Sequence, residues 1–414
     1  MEKIFKHFLK FINNFFFYIF ILPILTPVVL LIRSLKPLLH IRFRYLSTQE
    51  IGHFVDDCAI ILAEKKLTES KIIDLFWSQR MPANKFFLKM VKRQLFIKRW
   101  VKQLYEVNKI IYGGSKFTKE NPRTIHGSRD INLTLYKSSK NKEAYFKFTN
   151  KETEQGKKFL EKIGLNKTDK FVCLIVRDGK YKEAKWPNHD WSYHNYRNSE
   201  IHTYKKGIEE LVNKGYWVFR MGNIANKRFN CNHERIIDYS FHSDKSDFLD
   251  VWLMANCSFC ISTSAGIDTI SVAFRRPILI LNLIPVADIM SYTEVITYPK
   301  RLRYKNDKNY FTLDQCLRNN FYNTKHYEEH DIEIIDLSED EIKEAIIEMH
   351  ERFSGNYRES KKEEDLQKKF WKKFLKWDKE NVWPTEFKTR GHKLLHPNSK
   401  LSSEFLINNQ KWLD

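Results

Sequence analysis

From residue 168 onward the apolar positions fall into a repeating pattern. Unbroken apolar runs, as in "FVCLIV" (171–176), "YWVF" (216–219), "FCIS" (259–262) and "PILILNLIP" (277–285), alternate with stretches whose apolar residues recur at helical spacing, as in 199–215 and 245–257. Strands buried on both faces and alternating with amphipathic helices predict a parallel sheet covered on both sides, a doubly wound α/β domain. Gly215 is placed to close one of these helices, and Ser338 with Glu341 forms a capping box at the start of another.

The pattern is looser before that point. "HIRFRYL" (40–46) reads as a strand followed by a helix with its turn around Gly52, and "KIIDLFWS" (71–78) as a second strand. Residues 84–104 read as one basic amphipathic helix or a pair, with either a solvated basic face or a face on a membrane surface. These elements predict an α/β domain over 42–165, a Rossmann-like domain over 166–335, and C-terminal helices with a basic amphipathic tail over 336–414. In the tail, Leu366, Phe370, Phe374 and Trp377 share one helical face among lysines, the pattern of a helix lying on an anionic membrane, with packing back onto the N-terminal half as the alternative.

Residues 11–32 carry no charged side chain over a length that, at roughly 20 residues, suffices to cross a bilayer. Lys3, Lys6 and Lys10 precede the run and Arg33, Lys36, Arg42 and Arg44 follow it, with no small-residue cleavage site. Residues 1–41 are therefore expected to anchor the chain at the cytoplasmic membrane, with the body on the cytoplasmic side. Pro23 and Pro27 leave both a spanning helix and a kinked, shallow insertion open.

Charge adds a class of partner. Lys and Arg outnumber Asp and Glu by 71 to 51, a net charge of +20, which favours anionic membranes, phosphorylated ligands or nucleic acid. No nucleic-acid recognition motif accompanies it, so nucleic acid is not an expected partner. Only Cys257 and Cys260 of the six cysteines have C-x-x-C spacing, with no second pair, and no D-x-D pair stands at a strand end; no metal is expected. A glycine fingerprint for a dinucleotide and a Walker loop are both missing.

Ligands of an open parallel sheet bind beyond the C-terminal ends of its strands. Those ends carry Arg177-Asp178-Gly179, Arg220 with Gly222 and Asn223, Asp238, the loop Ser262-Thr263-Ser264-Ala265-Gly266, and Asn282. The arginines suit bidentate phosphate recognition. The small-residue loop, at the start of a helix, suits a diphosphate on main-chain N–H groups. Asp268, one turn in, suits sugar hydroxyls or caps the helix, and the whole loop also fits a plain helix start. The aromatic connector 185–204 brings Tyr196, Arg197 and Asn198, with stacking on a base or sugar as its expected role and a structural lid as the alternative.

Taken together, "EIGHF" (50–54), "FWSQR" (76–80), "VCLIVRDGKYKEA" (172–184), "HNYRNSEIHTY" (194–204), "GYWVFRMG" (215–222), "SDFLDVWLMANCSFCISTSAGIDT" (246–269) and "RRPILILNLIP" (275–285) resemble a family of bacterial glycosyltransferases associated with surface polysaccharide synthesis. The family more often has a basic residue where this chain has Glu50, and a glycine in place of Ala265. The resemblance implies a GT-B architecture, two Rossmann-like domains facing a cleft. It further implies metal-independent transfer of a sugar from a nucleotide-activated donor, used as substrate with no tightly bound cofactor, to a lipid-linked or surface-glycan acceptor. In such an architecture His53 is a candidate general base, with Asp56 and Asp57 to orient or replace it. A non-catalytic nucleotide- or glycan-binding protein on the same fold is the alternative.

Overall fold

A computed structural model of the chain describes residues 15–67, 71–119, 144–291, 293–380, 396 and 398–414. Contacts divide the chain into two units, Met1–Ile125 and His126–Asp414. Both are α/β with parallel sheets, as predicted.

The first unit has a three-stranded parallel sheet in the order β1 (His40–Leu46), β2 (Ile72–Ser78), β3 (Phe96–Ile97). The helix Ile51–Leu67 connects β1 to β2 and is buried continuously from Phe54 to Ala63. Residues 84–104 form two helices rather than one: Lys85–Val91, capped by the Asn84 side chain, and the start of Val101–Ile110, with β3 between them. A core of Val29, Phe43, Val101, Leu104 and Val107 joins the sheet to the helix Leu22–Ser34. Of the predicted apolar anchor, residues 1–14 lie outside the described residues. The rest is not a separate piece, because Val29 is part of the first unit's core. Phe17–Ser34 is the one helix among the described residues long and apolar enough to cross a membrane. A π-helical turn at Phe17–Ile21 leads into it, and it continues through Pro27.

The second unit is built on a seven-stranded parallel sheet. Its strands are β4 (Lys170–Ile175), β5 (Tyr216–Arg220), β6 (Ile236–Ile237), β7 (Cys260–Ser262), β8 (Ile278–Leu283) and β9 (Val295–Pro299). A small antiparallel pair, β10 (Arg301–Tyr304) with β11 (Ile332–Ile335), follows, and β12 (Ser399–Leu401) adds to the edge of β9. The order is β12-β9-β8-β7-β4-β5-β6, so the chain winds outward in both directions from the β4/β7 pair. Every residue of β5, β7, β8 and β9 is buried, as unbroken apolar runs require.

Two boundaries differ from those predicted. The helix Asn150–Lys162 belongs to the second unit: Gly156 lies against the Trp252 indole, where an added Cβ would come within 2.0 Å of ring carbon, and Phe159 meets Phe219 and Tyr239. The unit therefore begins before residue 166. The segment 336–414 is likewise integral to it, since helix Glu339–Ser354, with its predicted Ser338–Glu341 capping box, packs on the helix Lys205–Asn213 and β12 extends the sheet.

The tail helix Lys361–Glu380 corrects the membrane-surface reading. Phe370 and Phe374 are fully buried, with Phe370 stacked on Trp412 at 5.9 Å and the Gln367 amide bonded to Leu401 through both ends. Its apolar face is covered by the last residues of the same unit. The six cysteines are all free thiols, five of them buried.

Candidate functional site

The β4/β7 pair is the point at which the strand order reverses, and there the loops leaving the C-terminal ends part to opposite faces. Two bonds hold the loops at this crevice. The Arg177 main-chain N–H donates to Thr263 Oγ1 at 2.9 Å, and the Thr263 N–H to the Ile175 carbonyl at 3.2 Å. Arg177, after β4, and Ser264, after β7, thus stand on either side of it.

The small-residue loop is organised inwardly. Ser262 is fully buried and its hydroxyl donates to Asp268 Oδ2 at 2.7 Å, while the Ala265 N–H donates back to Ser262 Oγ at 3.4 Å. Asp268 is itself buried at the first position of a helix only six residues long, Asp268–Ala273. Ser262 and Asp268 were expected to meet phosphate and sugar; instead each binds the other, because a buried carboxylate needs a donor close by. Thr263 is spent on Arg177. Ser264, held at φ 60°, and the exposed Gly266 remain at the surface. The Ser264 carbonyl accepts from the Arg197 guanidinium at 2.5 Å.

Arg197 is one of a group of cations. Burial first, and then the positive Arg197, lowers the Arg177 guanidinium to about 10. His194 is lowered to about 3 by burial and then by Lys182, Arg177 and Arg197, so its ring is neutral. Three buried polar atoms here have no hydrogen-bond partner: Arg177 Nε, His194 Nδ1 and Asn198 Oδ1. The repulsion between Arg177 and Arg197 and the unpartnered Arg177 Nε–H suit an anion, whereas Asn198 Oδ1 is an acceptor and needs a donor instead.

Aromatic rings continue from the cations. His189, Trp191, Tyr193 and His194 are successive neighbours, with Trp191 and Tyr193 stacked at 6.0 Å and Lys182 Nζ 4.3 Å from the Trp191 ring centroid. Tyr196 is buried against Tyr327, and burial raises its hydroxyl to about 12. The connector is fixed from below. Lys300 Nζ donates to the Asn198 carbonyl and pairs with Asp336, both at 2.7 Å, and Asp336 accepts from Ser199 Oγ. Asn282, at φ 56°, donates to Ser199 Oγ and accepts from the Leu337 N–H. His194, Lys300 and Asp336 were missed from the sequence. His194 stood inside the quoted connector, and Lys300 follows the end of β9, a strand the periodicity did not single out.

The second arginine has a different fate. Arg220 is 2% exposed, bonds Asp238 at 3.1 Å and the Lys227 carbonyl at 3.2 Å, and lies near the Phe241 ring. It braces the segment between β5 and β6 and does not join the cations around Arg177. Gly222, at φ 150°, abuts Ser240 Oγ, and the Asn223 carbonyl accepts from Lys245. Asp178 accepts from the N–H groups of Lys180 and Asn226, tying together the loops after β4 and β5.

In the first unit His53 is 51% exposed and its Nδ1 lies 3.1 Å from Glu50 Oε2, a carboxylate placed to orient the ring. Asp56 and Asp57 are buried in the same helix. Among the described residues, no three His, Cys, Asp or Glu side chains come together to hold a metal ion.

No protein-family profile matches the chain, and no curated protein matches it. Several solved structures are similar. The E. coli ADP-heptose LPS heptosyltransferase II is 10% identical with a TM-score of 0.41, over 75% of this chain and 99% of its own. A family 9 glycosyltransferase of Veillonella parvula has the same identity and TM-score over 62% of this chain and 86% of its own. TibC of enterotoxigenic E. coli, a dodecameric iron-containing glycosyltransferase, is 11% identical with a TM-score of 0.39, over 75% of this chain and 76% of its own.

Proposed function

We propose that the protein is a glycosyltransferase whose second unit binds a nucleotide-activated sugar at the β4/β7 crevice. The observation that carries this is the group of Arg177, Arg197 and His194, with buried polar atoms left unsatisfied, at the edge where an open parallel sheet takes its ligand. A diphosphate satisfies the Arg177 Nε–H and removes the repulsion between Arg177 and Arg197. The Trp191–Tyr193 ladder supplies faces for the base or the sugar.

In the reaction an acceptor hydroxyl oxygen bonds to the anomeric carbon while the bond from that carbon to the diphosphate oxygen breaks. The electron pair and the developing negative charge leave with the nucleoside diphosphate, which the arginines stabilise in place of a divalent ion. The hydroxyl proton passes to a base, His53 oriented by Glu50 in this reading, with Asp56 as the substitute. The acceptor is a lipid-linked or growing surface glycan at the cytoplasmic membrane face.

The test is a panel of nucleoside diphosphates and nucleotide sugars. One nucleoside diphosphate should raise the melting temperature, and the matching nucleotide sugar should be hydrolysed slowly or transferred. Stabilisation with no turnover of any donor would leave a binding protein; no stabilisation at all would remove the site.

A further inference from the structure

We infer that the first unit docks on an anionic phospholipid leaflet with its apolar helix lying in the membrane plane, and that this helix does not cross the bilayer. The inference is independent of the donor site. Helix Leu22–Ser34 packs by one side only: Leu22, Leu25, Val29 and Ile32 face the core formed with Val101, Leu104 and Val107. At its end the Arg33 guanidinium bonds Asn108 and the Ile111 and Tyr112 carbonyls, at the end of helix Val101–Ile110. The two helices therefore run side by side in one direction.

That neighbour settles the mode of insertion. Helix Val101–Ile110 carries exposed Lys102, Gln103 and Lys109. A spanning arrangement would carry these groups into hydrocarbon, where charged side chains are strongly disfavoured. The opposite side of the apolar helix presents Phe16, Phe20, Ile24, Val28 and Leu31, all exposed, without a charge. A helix with one side on a protein body and the other uniformly apolar fits a shallow insertion.

Charge complementarity names the occupant. Residues 1–125 hold 22 Lys and Arg against 9 Asp and Glu, and so carry 13 of the +20 net charge. Between residues 75 and 105 there are eight Lys and Arg, all exposed, and no acidic residue. Exposed Trp100 sits among them, beside Val101 of the shared core and 5.9 Å from Phe96. Apolar side chains, an interfacial tryptophan and a basic rim together match a lipid surface bearing phosphates.

The full chain, released from detergent, should float with vesicles of phosphatidylethanolamine and phosphatidylglycerol and much less with phosphatidylcholine alone. The triple variant K98E/R99E/K102E should bind the anionic vesicles on the order of a hundredfold more weakly. Ile24→Asp with Leu31→Asp should abolish flotation while the melting temperature is kept, whereas Val29→Asp should unfold the unit. With an epitope tag at each end, protease added to sealed inverted membrane vesicles should treat both tags alike. Protection of one tag only means a spanning helix and overturns the inference. Equal binding to neutral vesicles, or a stable lipid-free dimer that ignores vesicles, overturns it as well.

Discussion

The Arg177 main-chain N–H and the Thr263 hydroxyl meet at 2.9 Å across the β4/β7 crevice. This bond fixes the loop after β4 without using the Arg177 guanidinium, whose Nε stays unpartnered. Arg177→Ala should therefore leave the ligand-free melting temperature close to the original. It should weaken nucleoside diphosphate binding by roughly 2 kcal/mol, about 30-fold, the worth of a charge-assisted hydrogen bond. Titration calorimetry on the variant measures this directly.

Arg220→Ala should do the reverse. Removing one partner of a buried, hydrogen-bonded ion pair costs about 3–5 kcal/mol, here by leaving Asp238 and the Lys227 carbonyl without their donor. Denaturant unfolding without ligand should show that loss, and any protein that remains folded should still bind the nucleotide.

The pH dependence of the site should come through His194. Its folded value, about 3, lies below the ordinary 6.5, so between those values the unfolded chain holds a proton that the folded one lacks. Stability contributed by the neutral ring is present above pH 6.5 and is lost as pH falls towards 3. His194→Gln should thus gain melting temperature relative to the original protein at pH 5 but not at pH 7. A bound diphosphate raises the ring's affinity for a proton, so the original protein should take up more protons on binding at pH 5.5 than the variant does. Calorimetry in two buffers of different ionisation enthalpy reads that difference.

Gly156→Ala tests the boundary of the second unit. The new methyl would come within 2.0–2.4 Å of the Trp252 indole atoms Cε2, Cδ2 and Nε1, and overpacking of this kind costs about 1–3 kcal/mol. A drop in the melting transition of a fragment beginning at residue 144, and loss of folding in one beginning at residue 166, would establish helix Asn150–Lys162 as part of its core.

The strands of the second unit were legible because burial on both faces leaves an unbroken apolar run, a strictly local signal. The two arginines show where such signals stop. Arg177 and Arg220 each follow an apolar strand, and nothing nearby in the chain distinguishes them. The difference is Asp238, 18 residues beyond Arg220, which the fold brings to one arginine and not to the other. The tail helix taught the same lesson: the stripe of Phe370 and Phe374 is identical for a membrane face and for a buried face, and only the arrival of Trp412 decides. The small-residue loop does stand at the C-terminal end of β7, beside the β4/β7 reversal, as its place after an apolar run implied. The pairing of Ser262 with Asp268 depended on how far that helix start sinks into the unit, which no local pattern records.

The position of β12 in the chain gives the protein an order of assembly. Everything the first unit needs, including its apolar helix and basic rim, is synthesised within the first 125 residues. The second unit has to wait for residues 399–401 before the edge of β9 is covered, and for Trp412 before Phe370 has its neighbour. At ribosomal speeds of roughly 5–20 residues per second, the interval between the two is on the order of 15–60 seconds. The first unit is therefore complete in the growing chain while the sheet of the second still lacks its edge strand, so the first can fold without waiting for the second.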